Sequence, residues 1–243
     1  MNMRSFTQLL VWLLLCGTLP AIAAPAIPAD APSRLQVSYD VLKDGFKAAI
    51  ITETYTRKQN AYHIESVSKA VGIVALIKPE TIRVVSEGAV TAKGLRPITF
   101  TNKRELDAER NASADFDWKA NSITLNDRNG NRALPLPAGT QDRLSAMYQF
   151  MFVPLKNASA LDFYMTNGSK VDIYNYLVTP EQSVTVPLGT FKTLYVASPP
   201  KDGESRTEIW LATEYANFPC KMVITDPDGG KLTQVLTRFD SAP

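Results

Sequence analysis

The chain has 243 residues, 26 Lys and Arg against 24 Asp and Glu, and a formal net charge of +2, with acids and bases interleaved along its length. That balance excludes the basic footprint of a nucleic-acid partner or of an anionic membrane surface. Two cysteines and one histidine likewise exclude a disulfide-stapled scaffold and any chemistry that needs two imidazoles.

Residues 1–23 have the layout of a cleaved secretory signal peptide. Arg4 supplies the positive start, Leu9 to Cys16 the apolar stretch, and Ala21-Ile22-Ala23 a small-x-small cleavage site before Ala24. Gly17 and Pro20 end the apolar run short of the roughly 18 to 20 residues a bilayer span needs, so no transmembrane anchor is expected after cleavage. Leu15 stands before Cys16 where lipoprotein processing wants a small side chain, which argues against a lipid anchor. The mature chain therefore works outside the cytosol. It keeps only Cys220, whose neighbours Phe218, Pro219, Met222 and Val223 predict a buried, inert thiol. Pro25, Pro28 and Pro32 mark 24–33 as a flexible Pro/Ala-rich leader, and 34–240 forms a single β-rich domain.

From Arg34 the pattern has period two. Leu35, Val37, Tyr39 and Val41 alternate with polar residues, Asp44-Gly45 turns the chain, and Phe46 to Thr56 answers as a second strand. Further strands are expected at 61–67, 82–90, 97–103, 112–118 and 122–126, joined by connections too short for parallel crossovers. Ala70 to Ile77 is apolar on every side, a short buried helix or a strand. Thr140 can cap a helix running to Phe152, with Leu144, Met147, Tyr148, Met151 and Phe152 at i, i+3, i+4, i+7 and i+8, and Pro154 ends it. Strands resume at 161–165, 170–178, 183–186, 191–197, 207–212, 221–225 and 231–238, the last pair turned by Asp228-Gly229-Gly230. About fourteen strands against one clear helix predict an all-β, mainly antiparallel roll, sandwich or barrel.

Four segments, Gly94-Leu95-Arg96-Pro97, Gln141-Asp142-Arg143-Leu144-Ser145, Pro187 to Thr193 and Ile209 to Ala212 followed by Phe218 to Met222, stand in an order and spacing that resembles the bacterial exported family known as domain of unknown function 3108. The resemblance spans most of 35–238. It implies a sheet curled round one central amphipathic helix and a place in the periplasm of a Gram-negative cell envelope, and it implies no activity.

Candidate chemistry is sparse. His63 is expected to be solvated or paired across strands, and with one mature cysteine and no Asp-x-Asp-x-Asp-Gly loop neither a metal site nor a cofactor is expected. Asp226-Pro227-Asp228-Gly229 reads as a turn. Asp115 and Asp117 share one strand face beside aromatic residues, as the paired acids of a glycan-cleaving site could; the same pattern fits a solvent face over buried Phe116 and Trp118. Asp142 fits the first turn of the helix, where its charge complements the dipole, and Ser145, one turn from the start, fits an ordinary helix position. Tyr164, Tyr174 and Tyr176 lie on neighbouring strands, Tyr174 and Tyr176 on one face, and either pack the core or form an aromatic binding face. The sequence thus predicts a periplasmic, non-catalytic binding or scaffolding protein for a glycan, lipid or protein partner. The alternative is a hydrolase acting on an envelope polysaccharide through Asp115 and Asp117.

Overall fold

The computed structural model describes residues 32–155 and 157–242, the side chain of Glu181 excepted. The segments expected to be a signal peptide, 1–23, and a leader, as far as 31, lie outside the described residues; Ser33 already donates its N–H to the Ala242 carbonyl. Eight strands come first: β1 (Arg34–Lys43), β2 (Phe46–Lys58), β3 (Ala61–Ala70), β4 (Thr81–Thr91), β5 (Gly94–Arg104), β6 (Ala112–Asp117), β7 (Ser122–Asp127) and β8 (Gly130–Pro135). A two-residue strand β9 (Gln141–Asp142) and helix α2 (Ser145–Gln149), prolonged by a 3₁₀ turn over Phe150–Phe152, occupy the middle, while the short helix α1 (Gly72–Ile77) lies between β3 and β4. The second half holds β10 (Ala160–Thr166), β11 (Val171–Val186), β12 (Gly189–Ala197), β13 (Arg206–Ala212), β14 (Phe218–Thr225) and β15 (Lys231–Ala242).

All fifteen strands belong to one sheet, ordered β8-β7-β6-β5-β4-β3-β2-β1-β15-β14-β13-β12-β11-β10-β9. Every pairing is antiparallel except β9 with β10. Chain order and sheet order together force the sheet to curl. Strands β8 and β9 are its two ends, yet only residues 136–140 connect them. Laid flat, the ends would stand roughly 65–70 Å apart at 4.8 Å per strand, and a link of this length reaches only about 20 Å. The sheet must therefore roll up. Where its ends approach, Arg132 on β8 donates to the Ser169 carbonyl in the β10–β11 turn at 2.9 Å, and a Cβ on Gly168 would meet that of Ala112 on β6 at 2.9 Å.

Inside the roll sits α2. Tyr148 is fully buried, stacked on Tyr55 of β2 at 5.6 Å and edge-on to Phe218 of β14 at 5.2 Å. Leu144 and Tyr148 join the main core, and Met147 and Met151 pack against it half-buried. A second apolar cluster gathers Phe150, Leu155, Tyr176, Val178, Leu194, Val196, Ile209 and Leu211.

The central helix is shorter than the spacing predicts. Gln141 and Asp142 pair with Met165 and Thr166 instead of coiling, and Thr140 spends its hydroxyl on the Pro137 carbonyl at 2.7 Å rather than capping the helix. Segment 72–77 is a helix but not a buried one: Ile73, Leu76 and Ile77 are exposed and none of its residues is buried. The stretches 170–178 and 183–186 are one strand, β11, whose register shifts between Thr179 and Gln182; Pro180 lies in the irregularity because it has no N–H for a ladder.

Candidate binding groove

Strand β9 puts two consecutive buried side chains into different surroundings. Asp142 is fully buried, and every contact it makes is satisfied. Its Oδ1 accepts the N–H groups of Leu144 and Ser145 at 2.9 and 2.8 Å, and its Oδ2 accepts the Ser86 hydroxyl at 2.6 Å. Ser86 in turn bonds Tyr62 at 3.0 Å. Asp142 thus caps α2 and ties it to β4, offsetting orphan donors of the first turn. Burial pushes its carboxyl above the ordinary carboxylate range, against the hydrogen bonds that hold it down.

Glu53 on β2 is the second buried acid, accepting from Ser66 and Tyr148 at 3.0 Å each. Burial raises its pKa as well. The cavity beside it, lined by Tyr39, Met147, Pro219 and Gln234, is about 20 Å³. Such a space holds on the order of one water and no substrate. Both acids are therefore parts of the interior that anchor α2.

Gln141 faces the other way. It is 3 % exposed, and its Nε2 donates to the Leu95 carbonyl at 2.8 Å and, more distantly, to that of Gly139 at 3.5 Å. Those two acceptors fix the orientation of the amide, because a flip would set oxygen against oxygen. Its Oε1 is left with no partner among the described residues. The Leu95 backbone also holds the helix side of the site: its N–H donates to Gln149 Oε1 at 2.7 Å. Gly94 must be glycine for this, with φ at +96° and a Cβ that would fall 2.3 Å from Gln149 Oε1.

Gln141 and Gln149 line a groove of about 310 Å³ together with Phe150, Val153, Leu161, Phe163, Tyr164 and Ile173. That volume lies at the lower end of ligand pockets, roughly 300 to 1,000 Å³. Tyr164 and Ile173 are exposed at its rim, and Asp162 is the one charged residue among the described residues of its lining. The groove runs along an unfinished edge. Strand β9 covers only Met165 and Thr166 of β10, so among the described residues 160–164 have no partner strand on that side.

Asp115 and Asp117 project from the outer face of β6, both exposed, above buried Phe116. Asp117 Oδ1 accepts the N–H groups of Lys119 and Ala120 at 3.0 and 2.8 Å, which makes it the organiser of the β6–β7 turn. Tyr174 and Tyr176 do not form an exposed row. Strand alternation turns both inward, Tyr176 is 2 % exposed, and the rings stack on each other at 6.5 Å, with Phe163 stacked on Tyr176 at 5.8 Å. Burial raises the pKa of the Tyr176 phenol. Only Tyr164 of the three tyrosines lines the groove. His63 pairs across strands with Glu87 at 2.8 Å, and the buried Cys220 thiol, pushed up to about 11 by burial, lies 3.3 Å from the Trp210 carbonyl. Gln141 escapes a reading by motif because a single glutamine carries no signature. The signal that could have found it is its place in the Gln141 to Ser145 segment, next to the Gly94 to Pro97 segment it bonds.

Among the described residues no helix is long and apolar enough to cross a membrane. No curated protein matches the chain. The fold is similar to that of a solved structure, a β-barrel-like protein of domain of unknown function DUF1849 from Brucella abortus, with a TM-score of 0.56 at 12 % identity, covering 87 % of this chain and 99 % of that one. At that identity the likeness concerns the fold alone. The sequence match is more direct: residues 34–237, nearly the whole rolled sheet, fit the family described as protein of unknown function DUF3108, and the chain belongs to that family.

Proposed function

We propose that this is an exported, periplasmic, non-catalytic binding protein that takes its partner in the groove between the β10 edge and α2. One observation carries the reading. A buried amide oxygen with no hydrogen-bond partner is costly, about 1–3 kcal/mol, and Gln141, whose Oε1 is in that state, is one of the residues lining an apolar groove. A ligand that brings an N–H or O–H to that oxygen and apolar surface to Phe150, Leu161 and Phe163 recovers the cost. Envelope glycans, lipids and proteins all supply such a donor. The hydrolase alternative has no comparable support, since Asp115 and Asp117 stand on the outer face with one of them committed to a turn.

The test is a titration of the ¹⁵N-labelled mature chain with three probes, a medium-chain acyl amide, an N-acetylglucosamine disaccharide and an extended apolar heptapeptide. At least one probe should saturably shift the Gln141 side-chain amide and the Tyr164 backbone signal. Ala138→Trp, at an exposed position lining the groove, should abolish the shift with the fold intact, and Asp115→Asn with Asp117→Asn should leave it unchanged. If none of the three probes moves the groove signals, the reading is wrong.

A further inference from the structure

We infer that the occupant of the groove is an extended polypeptide segment that adds to the free edge of β10 as a further strand, its apolar residues alternating with at least one basic residue. This rests on the groove being the binding site, and goes beyond it by naming the chemistry of the partner.

The backbone supplies the first argument. Along an antiparallel strand, N–H and C=O groups point to one neighbour and then to the other, residue by residue. In β10 the parity is fixed at both ends. Val178 of β11 donates to the Ser159 carbonyl at 3.0 Å, so the odd positions address β11. At the other end, Arg143 donates to the Thr166 carbonyl at 2.9 Å from the β9 side, so the even positions address that side. Ala160, Asp162 and Tyr164 therefore turn their backbone groups toward the groove, in the row where β9 would continue had it been longer. A glycan or an acyl chain cannot meet a row of alternating donors and acceptors at strand spacing. A peptide in extended form does so residue by residue.

Side chains supply the second. The same alternation sends Leu161 and Phe163 to the inner face and Asp162 to the outer one, as their burial shows. An added strand would set its inward residues against Phe150, Leu161 and Phe163 and its outward residues beside Asp162. That carboxylate is the only charge among the described residues of the lining, and it is already accepting one neutral donor, Asn175 Nδ2, at 2.8 Å. Charge complementarity thus asks for a lysine or arginine at an outward position. Gly139, with φ at +77°, gives the opposite wall no side chain to obstruct the segment.

The experiment uses the mature chain and the peptide acetyl-Val-Thr-Leu-Lys-Val-Thr-Ile-amide, with two versions N-methylated on alternate sets of amides. The peptide should bind. One N-methylated set should weaken binding about tenfold or more and the other little, because only alternate N–H groups face β10. Asp162→Asn, at an exposed position, should weaken the lysine peptide several-fold at low salt and leave a Leu-for-Lys version unchanged. Equal effects of the two methylated sets would overturn strand addition. Binding of the acyl amide or the disaccharide but not of the peptide would overturn this inference and leave the groove standing. Silence from all three would overturn both.

Discussion

Gln141 and Asp142 are adjacent on one two-residue strand, both almost wholly buried, and differ in one respect: Asp142 has a partner for each oxygen and Gln141 has an oxygen with none. The difference follows from which side of β9 each faces. Asp142 looks into the closed part of the roll, where Ser86, Tyr62, Glu53 and Tyr148 form satisfied polar contacts around α2. Gln141 looks toward the place where the sheet stops. The two neighbours share burial and differ in whether their hydrogen bonds are complete.

The largest effect should come from the satisfied side. Asp142→Leu removes the acceptor for three buried donors at once, so it should cost about 3–5 kcal/mol in denaturant melts. Asp142→Asn, which keeps an oxygen for the two backbone donors, should cost far less. A loss below about 1 kcal/mol for Asp142→Leu would mean the contrast with Gln141 is not one of hydrogen-bond completeness.

Next come the tyrosines, which sort the same way. Tyr176→Ala empties a buried, stacked position and should cost about 3 kcal/mol or more. Tyr164→Ala, at the exposed rim, should change stability by about 0.5 kcal/mol or less and weaken groove ligands. Equal losses from both would show that the rim is core, and the groove would lose its open wall.

The sequence carries the roll well and the groove poorly, for different physical reasons. Alternation along β1 to β7 follows from a sheet with one wet face and one dry face, so period two is written in Leu35, Val37, Tyr39 and Val41. Strand β9 could not be read that way: two residues make no period, and its pairing depends on Met165 and Thr166 more than twenty positions on. The helical spacing at 144–152 gave the inward residues correctly, because Leu144 and Tyr148 are set by the core, but tertiary pairing took the first turn from the helix. Segment 72–77 misled because an apolar run implies burial only where the fold brings something to cover it. The groove arises where β9 stops after two residues and leaves the β10 edge open beside α2, and no local pattern encodes that.

Titration sharpens the comparison further. Glu53 and Asp142 have folded-state pKa values raised by burial, so the folded chain binds more protons than the unfolded chain between the ordinary and the raised values. Their contribution is therefore fully present below the unfolded carboxylate pKa and is lost as pH rises through the folded one. The melting temperature should fall as pH rises above the ordinary carboxylate range. Glu53→Gln keeps an acceptor and a hydrogen-bonding shape without the charge, and should flatten part of that slope. Gln141→Leu, a neutral site, should leave it as steep as before. A wild-type stability that rises over this interval would reverse the assignment of the buried acids.

The smallest stability effect is expected at Gln141 itself. Gln141→Leu deprives the Leu95 carbonyl of its donor and so costs something, but it also removes an oxygen that was buried without a partner. Each is on the order of 1 kcal/mol and they oppose, which puts the net change within about 1 kcal/mol. Leucine is close to glutamine in size, so the change in packing adds little. Binding should respond differently. A ligand that donates to Oε1 loses that bond, and its affinity should drop about tenfold, equivalent to about 1.4 kcal/mol. The pairing of a nearly silent melt with a clear loss of affinity is what separates an acceptor kept for a partner from one that serves the fold. Should Gln141→Leu instead destabilise the chain as much as Asp142→Leu, the two neighbours on β9 would be doing the same structural work, and the ligand would have to be sought elsewhere on the roll.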